Sequence, residues 1–190
     1  MSRRIPARKL EKDFDFFINK LLRATQSLAR HYYQVPVAGL EESVYRERVY
    51  CYELYHQLQN CLPLKFPYVL AGEVNKAGHP IFHETVGPYK PDFIVHEPRK
   101  TSGNLAVVEV KPTITTDTEF REDLRHLRLF LDRADYFAVV SLVYGEVDDE
   151  RIRRFVAELD EIFADLRNKR AILLLHKKPG EPARLIFTKP

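Results

Sequence analysis

The sequence predicts an α/β domain of the α+β kind, with helices packed on a central mixed sheet. Three observations point there. Helical and strand periodicities alternate along the chain in the order helix, helix, several strands, helix, strand, helix, two strands. The periodicity switches after Cys61-Leu62-Pro63. At 190 residues and 45% hydrophobic content, the chain is long enough for one buried core.

Each element has its own signal. Leu10, Phe14, Phe17, Ile18, Leu21, Leu22 and Leu28 recur at helical spacing and predict a helix over 10–33. The stretch Val35-Pro36-Val37-Ala38-Gly39 breaks it. A second helix reads from Ser43 to Gln59. Tyr68 to Val74 reads as a strand, then a turn at Lys76-Ala77-Gly78 and a short strand from Ile81 to Thr85. Phe93 to Val95 and Leu105 to Val110 are further strands, joined by a turn-rich loop over 97–104. Thr115, Thr116 and Asp117 offer N-caps for a helix over 118–134. Tyr136 to Tyr144 is apolar enough for a strand buried on both faces, and a charged helix covers 149–168. Ala171 to His176 and Arg184 to Thr188 flank the turn at Pro179-Gly180. Residues 1–40 form a basic helical extension and 41–190 the main domain, within one globular unit overall.

Composition excludes several classes. The longest apolar runs, Tyr136 to Tyr144 and Ala171 to Leu175, fall far short of the ~20 residues that span a bilayer, so no membrane is expected. Thirty Lys plus Arg against 27 Asp plus Glu give a formal charge of +3, so any nucleic-acid contact must come from a local patch. Arg3, Arg4, Arg8, Lys9 and Lys12 make such a patch, which also reads as a solvated tail. Cys51 and Cys61 lack a CxxC spacing, and MSRRIPARKLEKD lacks the apolar core of a signal peptide, so a reducing cytoplasm is the expected location. Gly-rich phosphate loops and GxSxG nucleophile elbows are absent.

Chemistry concentrates in three pieces: Pro91-Asp92, then Glu109-Val110-Lys111, and Glu47 upstream. Side chains alternate along a strand, so Glu109 and Lys111 share one face. If 97–104 is the connecting loop, His96 pairs with Leu105 and Asp92 falls opposite Glu109. Such opposed residues have Cβ atoms about 5 Å apart, close enough for two carboxylates to share a divalent cation. On a wheel of ~100° per residue, Val44, Cys51, Leu54, Tyr55, Leu58 and Leu62 form an apolar arc that encloses Glu47. A carboxylate there needs a partner. Plainer readings stand beside these. Asp92 also fits a turn, Glu109 and Lys111 a strand-face ion pair, and Glu47 a buried acid satisfied by a nearby Arg or Tyr.

These pieces, in this order, resemble the PD-(D/E)XK nuclease superfamily over residues 42–145. The resemblance implies a restriction-endonuclease-like core: a helix with an acid, an antiparallel meander carrying Asp and ExK, then a helix and a strand. It further implies metal-dependent hydrolysis of phosphodiester bonds, most readily in DNA. Glu47, Asp92, Glu109 and Lys111 would be the catalytic residues. Asp92, Glu109, the Val110 carbonyl and Glu47 would hold Mg²⁺ or Mn²⁺, the hard cations suited to oxygen donors. Arg3, Arg4, Arg8, Lys9, Lys90, Arg121, Arg125 and Arg128 are the expected phosphate-backbone contacts. The superfamily often carries a polar residue on the following helix, where Arg121, Arg125 and His126 are available.

Other candidates are weaker in pattern. His79, His83 and His96 have no recognised zinc spacing, Tyr89 and Lys90 read as a surface loop, and Tyr45, Tyr50, Tyr52 and Tyr55 crowd one helix. A homodimer is left open, because no heptad seam marks an interface. The competing class is a non-catalytic nucleic-acid-binding or protein-interaction module on the same scaffold.

Overall fold

The computed structural model describes residues 6–72, 89–98 and 102–190. Helix α1 spans Ala7–Gln26, α2 Arg30–Tyr33 and α3 Glu47–Cys61. Strands β1 (Val69–Gly72), β2 (Phe93–His96) and β3 (Asn104–Pro112) follow. Then come α4 (Asp117–Arg133), β4 (Tyr136–Tyr144), α5 (Asp149–Ile162), β5 (Arg170–His176) and β6 (Arg184–Lys189). The six strands form one mixed sheet in sequential order. β1, β2 and β3 pair antiparallel, β4 and β5 add in parallel, and β6 returns antiparallel. The expected turn at 76–78 and strand at 81–85 lie outside the described residues.

Two apolar layers sandwich the sheet. On one face, Phe14, Phe17, Leu21, Leu54 and Leu58 of α1 and α3 pack against Val108, Val110, Val140 and Leu142. On the other, Phe120, Leu124, Leu127, Phe155 and Leu159 of α4 and α5 cover Val107, Val139, Val143 and Leu173. Every residue of β4 is buried, as its unbroken apolar run requires of a strand covered on both faces. Helix α1, expected as part of an extension, lies inside this core: Phe17 and Leu21 are fully buried. No helix among the described residues is long and apolar enough to cross a membrane.

Several boundaries differ from the sequence reading, each for a local reason. The first helix ends at Gln26 because Ser27 turns its N–H back onto the Ala24 and Thr25 carbonyls, and Ala29 is extended. Four residues of α2 then resume the helix. Helix α3 starts at Glu47, not Ser43. Val44 is held extended by a bridge to Val35, with backbone bonds of 2.8 and 3.0 Å. Helix α4 starts where its capping signal placed it. Thr116 accepts from the Glu119 N–H, and the Glu119 carboxylate accepts from the Thr116 N–H. Asp148 caps α5 by accepting from the Arg151 N–H. α5 ends at Ile162, six residues early, in tight turns that lead to left-handed Asn168 and so into β5.

The burial of α1 generates a prediction. Truncating a fully buried Phe costs roughly 3–5 kcal/mol. Phe17→Ala should lower the unfolding free energy in urea by an amount in that range. A loss below about 1 kcal/mol would show α1 to be an appendage.

Candidate active site

The site lies at the C-terminal end of β3. The pairing of Phe93 with Val108, Ile94 with Val107 and Val95 with Ala106 has the register that parity predicted. Carried one step further, it sets Asp92 opposite Glu109. The ladder stops there because Pro91 has no N–H to offer. The Asp92 side chain takes over: its Oδ2 accepts from the Val110 N–H at 2.8 Å. A backbone donor on the strand edge is thereby satisfied, and the Asp92 carboxylate is anchored beside β3.

Lys111 projects into a ring of acids. Its Nζ lies 3.2 Å from Glu47, 3.2 Å from Glu109 and 3.6 Å from Asp123. Asp92 also acts on it electrostatically. Four carboxylates thus surround one ammonium. Burial disfavours the Lys111 charge, but the acids outweigh it and hold the ammonium well above its ordinary pKa. The acids respond the other way. Burial, then the Asp92 charge, pushes Glu109 up from 4.5 to about 8. Burial also lifts Asp92 to about 6, against the opposing Val110 N–H, and burial lifts Asp123 to about 6. Glu109 is 6% exposed, and its Oε2 is buried without a fully formed hydrogen bond.

Glu47 shares the α3 face that buries Cys51, Leu54 and Leu58, as the wheel indicates, but stands at the open end of that face. Because α3 begins with it, Glu47 stands at the helix N-terminus, 36% exposed, and reaches Lys111 from the rim. With Lys111, Glu119, Glu122, Asp123 and Ile114 it lines a depression of about 370 Å³. Cys51 of the same helix is buried against Asp92, and burial raises its thiol.

Two contributors escaped the sequence reading. Asp123 of α4 falls, on a wheel of ~100° per residue, within about 60° of Phe120, Leu127 and Phe130. An acid on that apolar face is the signal that the sequence carries for it. Tyr89, read as a surface-loop residue, is half-buried, stacks on His126 with centroids 4.2 Å apart, and lies beside Glu109, whose charged form it favours.

The expected basic contacts are scattered. Arg121 pairs with Glu158 and Glu161 of α5, and Arg128 with Asp132 and Asp165, so both tie α4 to its surroundings. Arg125 and Lys90 are exposed and in no ion pair among the described residues. Arg8 is exposed, Lys9 pairs with Asp13, and Arg3 and Arg4 lie outside the described residues. Of the three histidines considered for zinc, His79 and His83 also lie outside them. His96 Nδ1 approaches the Glu97 carbonyl at 3.3 Å.

The donor set is of the kind that suits a hard cation: carboxylate oxygens, partly desolvated, with one lacking a full hydrogen bond. Among the described residues no three acid, His or Cys side chains yet converge on one point, with Lys111 standing among the acids. No protein-family model matches the chain, and neither a curated protein nor a solved structure shows significant similarity to it.

Proposed function

We propose that the protein is a metal-dependent nuclease of the PD-(D/E)XK type that hydrolyses phosphodiester bonds, most readily in DNA. The observation that carries this reading is the alignment of Asp92 and Glu109 across the β2–β3 pair, with the Lys111 ammonium on the same side as Glu109. The order α3, antiparallel meander, α4 and parallel β4 supports the reading, since it agrees with the order that the resemblance implies. A purely structural ion pair gains nothing from three surplus acids, because uncompensated buried charge is costly. Strongly perturbed groups gathered in a depression are characteristic of functional sites.

In this reading Asp92 and Glu109, with the Val110 carbonyl and support from Glu47, hold Mg²⁺ or Mn²⁺. Such a cation acidifies water and offsets charge on a phosphate. Lys111, released from part of its ion pairing, orients the attacking water or stabilises the negative charge developing on the phosphate. Tyr89 positions Glu109, and Asp123 fixes the direction of Lys111. A second reading, a non-catalytic scaffold, has one observation in its favour: the Lys111 ammonium is itself paired with Glu47 and Glu109.

Three measurements test the proposal. Mn²⁺ titrated by calorimetry into wild-type protein should bind, and Asp92→Asn should abolish the binding; equal heats from both proteins would move the cation away from Asp92. Lys111→Ala should cleave a DNA substrate about 10²-fold or more slowly in saturating Mn²⁺ while still melting cooperatively. Wild-type rates from that variant would overturn its role. The third is a pH profile in EDTA. The folded state holds the Glu109 proton to about pH 8, the unfolded state only to about 4.5, so folding binds protons between those values. Stability should therefore fall as pH rises from 5 to 8, and Glu109→Gln should flatten the fall. A rising wild-type Tm over that range would contradict the buried-acid account.

A further inference from the structure

Beside the acidic depression lies a second one of about 600 Å³, lined by Arg151, Arg154, Lys177 and Lys178 together with Glu146 and Asp148. Ile114, 69% exposed, borders both and forms the ridge between them. The two depressions carry opposite charge. In the basic one, Asp148 is occupied in capping α5, and Asp117 pairs with Arg151 and, at 3.4 Å, with half-exposed Arg154. Lys177 and Lys178 are exposed, and neither ammonium meets a carboxylate among the described residues.

The sheet sets the distance between the two regions. Pro112 pairs with Tyr144, and Tyr144 with His176, so the ends of β3 and β5 stand two strand spacings apart. That is about 10 Å. Lys111 and Lys177, each next to one of these residues, therefore emerge along the same edge. Ligands of open α/β sheets characteristically bind outside this carboxyl end of the parallel strands.

The lysine loop is held from beneath. The Tyr33 hydroxyl donates to the carbonyls of His176 at 3.0 Å and Lys177 at 2.5 Å. The Tyr50 hydroxyl lies 2.8 Å from His176 Nδ1, and Tyr50 stacks on Tyr144 with centroids 3.9 Å apart. The far end of the loop is fixed where the Ala183 N–H donates to buried Thr25. A loop anchored at both ends presents its charges in a set place, which lowers the entropy lost on binding.

We infer that Lys177 and Lys178, with Arg154, bind the sugar–phosphate backbone of DNA on one side of the scissile phosphate, the strand crossing the Ile114 ridge into the acidic site. This rests on the nuclease reading. It moves the backbone contacts from Arg121 and Arg128, which are committed to α5 and its following turn, to the carboxyl edge of the sheet.

The test is fluorescence anisotropy with a labelled DNA duplex in Ca²⁺, across a salt series, on wild type, Lys177→Glu/Lys178→Glu and Arg125→Glu. Manganese calorimetry on each protein reports separately on the acidic site. The lysine pair should weaken binding tenfold or more and reduce the salt slope by about 2, roughly one per phosphate contact. Manganese binding and melting temperature should stay unchanged. Equal DNA affinity in wild type and the lysine variant would overturn the groove while leaving the nuclease reading standing. A larger loss from Arg125→Glu than from the lysine pair would put the path across α4 and likewise overturn it. A wild-type protein that binds neither DNA nor manganese would remove both proposals.

Discussion

The Lys111 ammonium is the contact on which the arrangement at the end of β3 depends. Three separate elements deliver acids to it: Glu47 from the start of α3, Asp123 from the first half of α4, and Glu109 from β3 itself. Asp92, just before β2, adds a fourth charge within electrostatic range. Like charges brought this close repel, and partial burial strengthens the repulsion by excluding water. One cation moderates it for every element at once. Burial, more than that repulsion, displaces Glu109 and Asp123 toward their protonated forms although a lysine lies within 4 Å of each.

The sequence carried the local half of this site and not the long-range half. Strand parity, joined to the reading of 97–104 as the connecting loop, was enough to align Asp92 with Glu109, and the same register places Ile94 and Val107 on one buried face. The Thr116–Glu119 cap and the apolar run of β4 were legible for the same reason: each depends on residues a few positions apart. The start of α3 was not legible. It is set by the Val35–Val44 bridge, which commits residues before Glu47 to an extended path that no helical wheel registers. Arg121 and Arg128 looked available because, Asp132 apart, their partners Glu158, Glu161 and Asp165 lie more than thirty positions away and meet them only when α4 packs on α5. Asp123 could have been found from the apolar face it occupies, but its purpose is visible only once Lys111 arrives from β3.

The same topology explains why opposite charges can gather so near one another. Strands β3, β4 and β5 run parallel, so their carboxyl ends share an edge, and the connections leaving that edge are short. β3 leads into α4 through Thr113 to Thr116, and β4 leads into α5 through Gly145 to Asp148. At Gly145, φ is +128°, and a Cβ would overlap the Thr113 hydroxyl, so the β4 exit can lie against the β3 exit only because no side chain intervenes. That close approach sets the Ile114 ridge between the two depressions. The acids come from α3, β3 and the first half of α4, whereas the lysines follow β5 on a loop to whose carbonyls Tyr33 donates. Burial holds His176 down at about 4, so the ring stays neutral across physiological pH and adds no charge beneath the loop. The positive field of the groove is therefore set by its lysines and arginines. Of the acids beside it, burial raises Asp92 and Asp123 to about 6 and Glu109 to about 8. A polyanion meeting this edge would be attracted by one half and resisted by the other, and the resistance would lift only when a cation occupied the acids. On that physical ground, binding of the polyanion and binding of the cation should reinforce each other, since each relieves the charge that opposes the other.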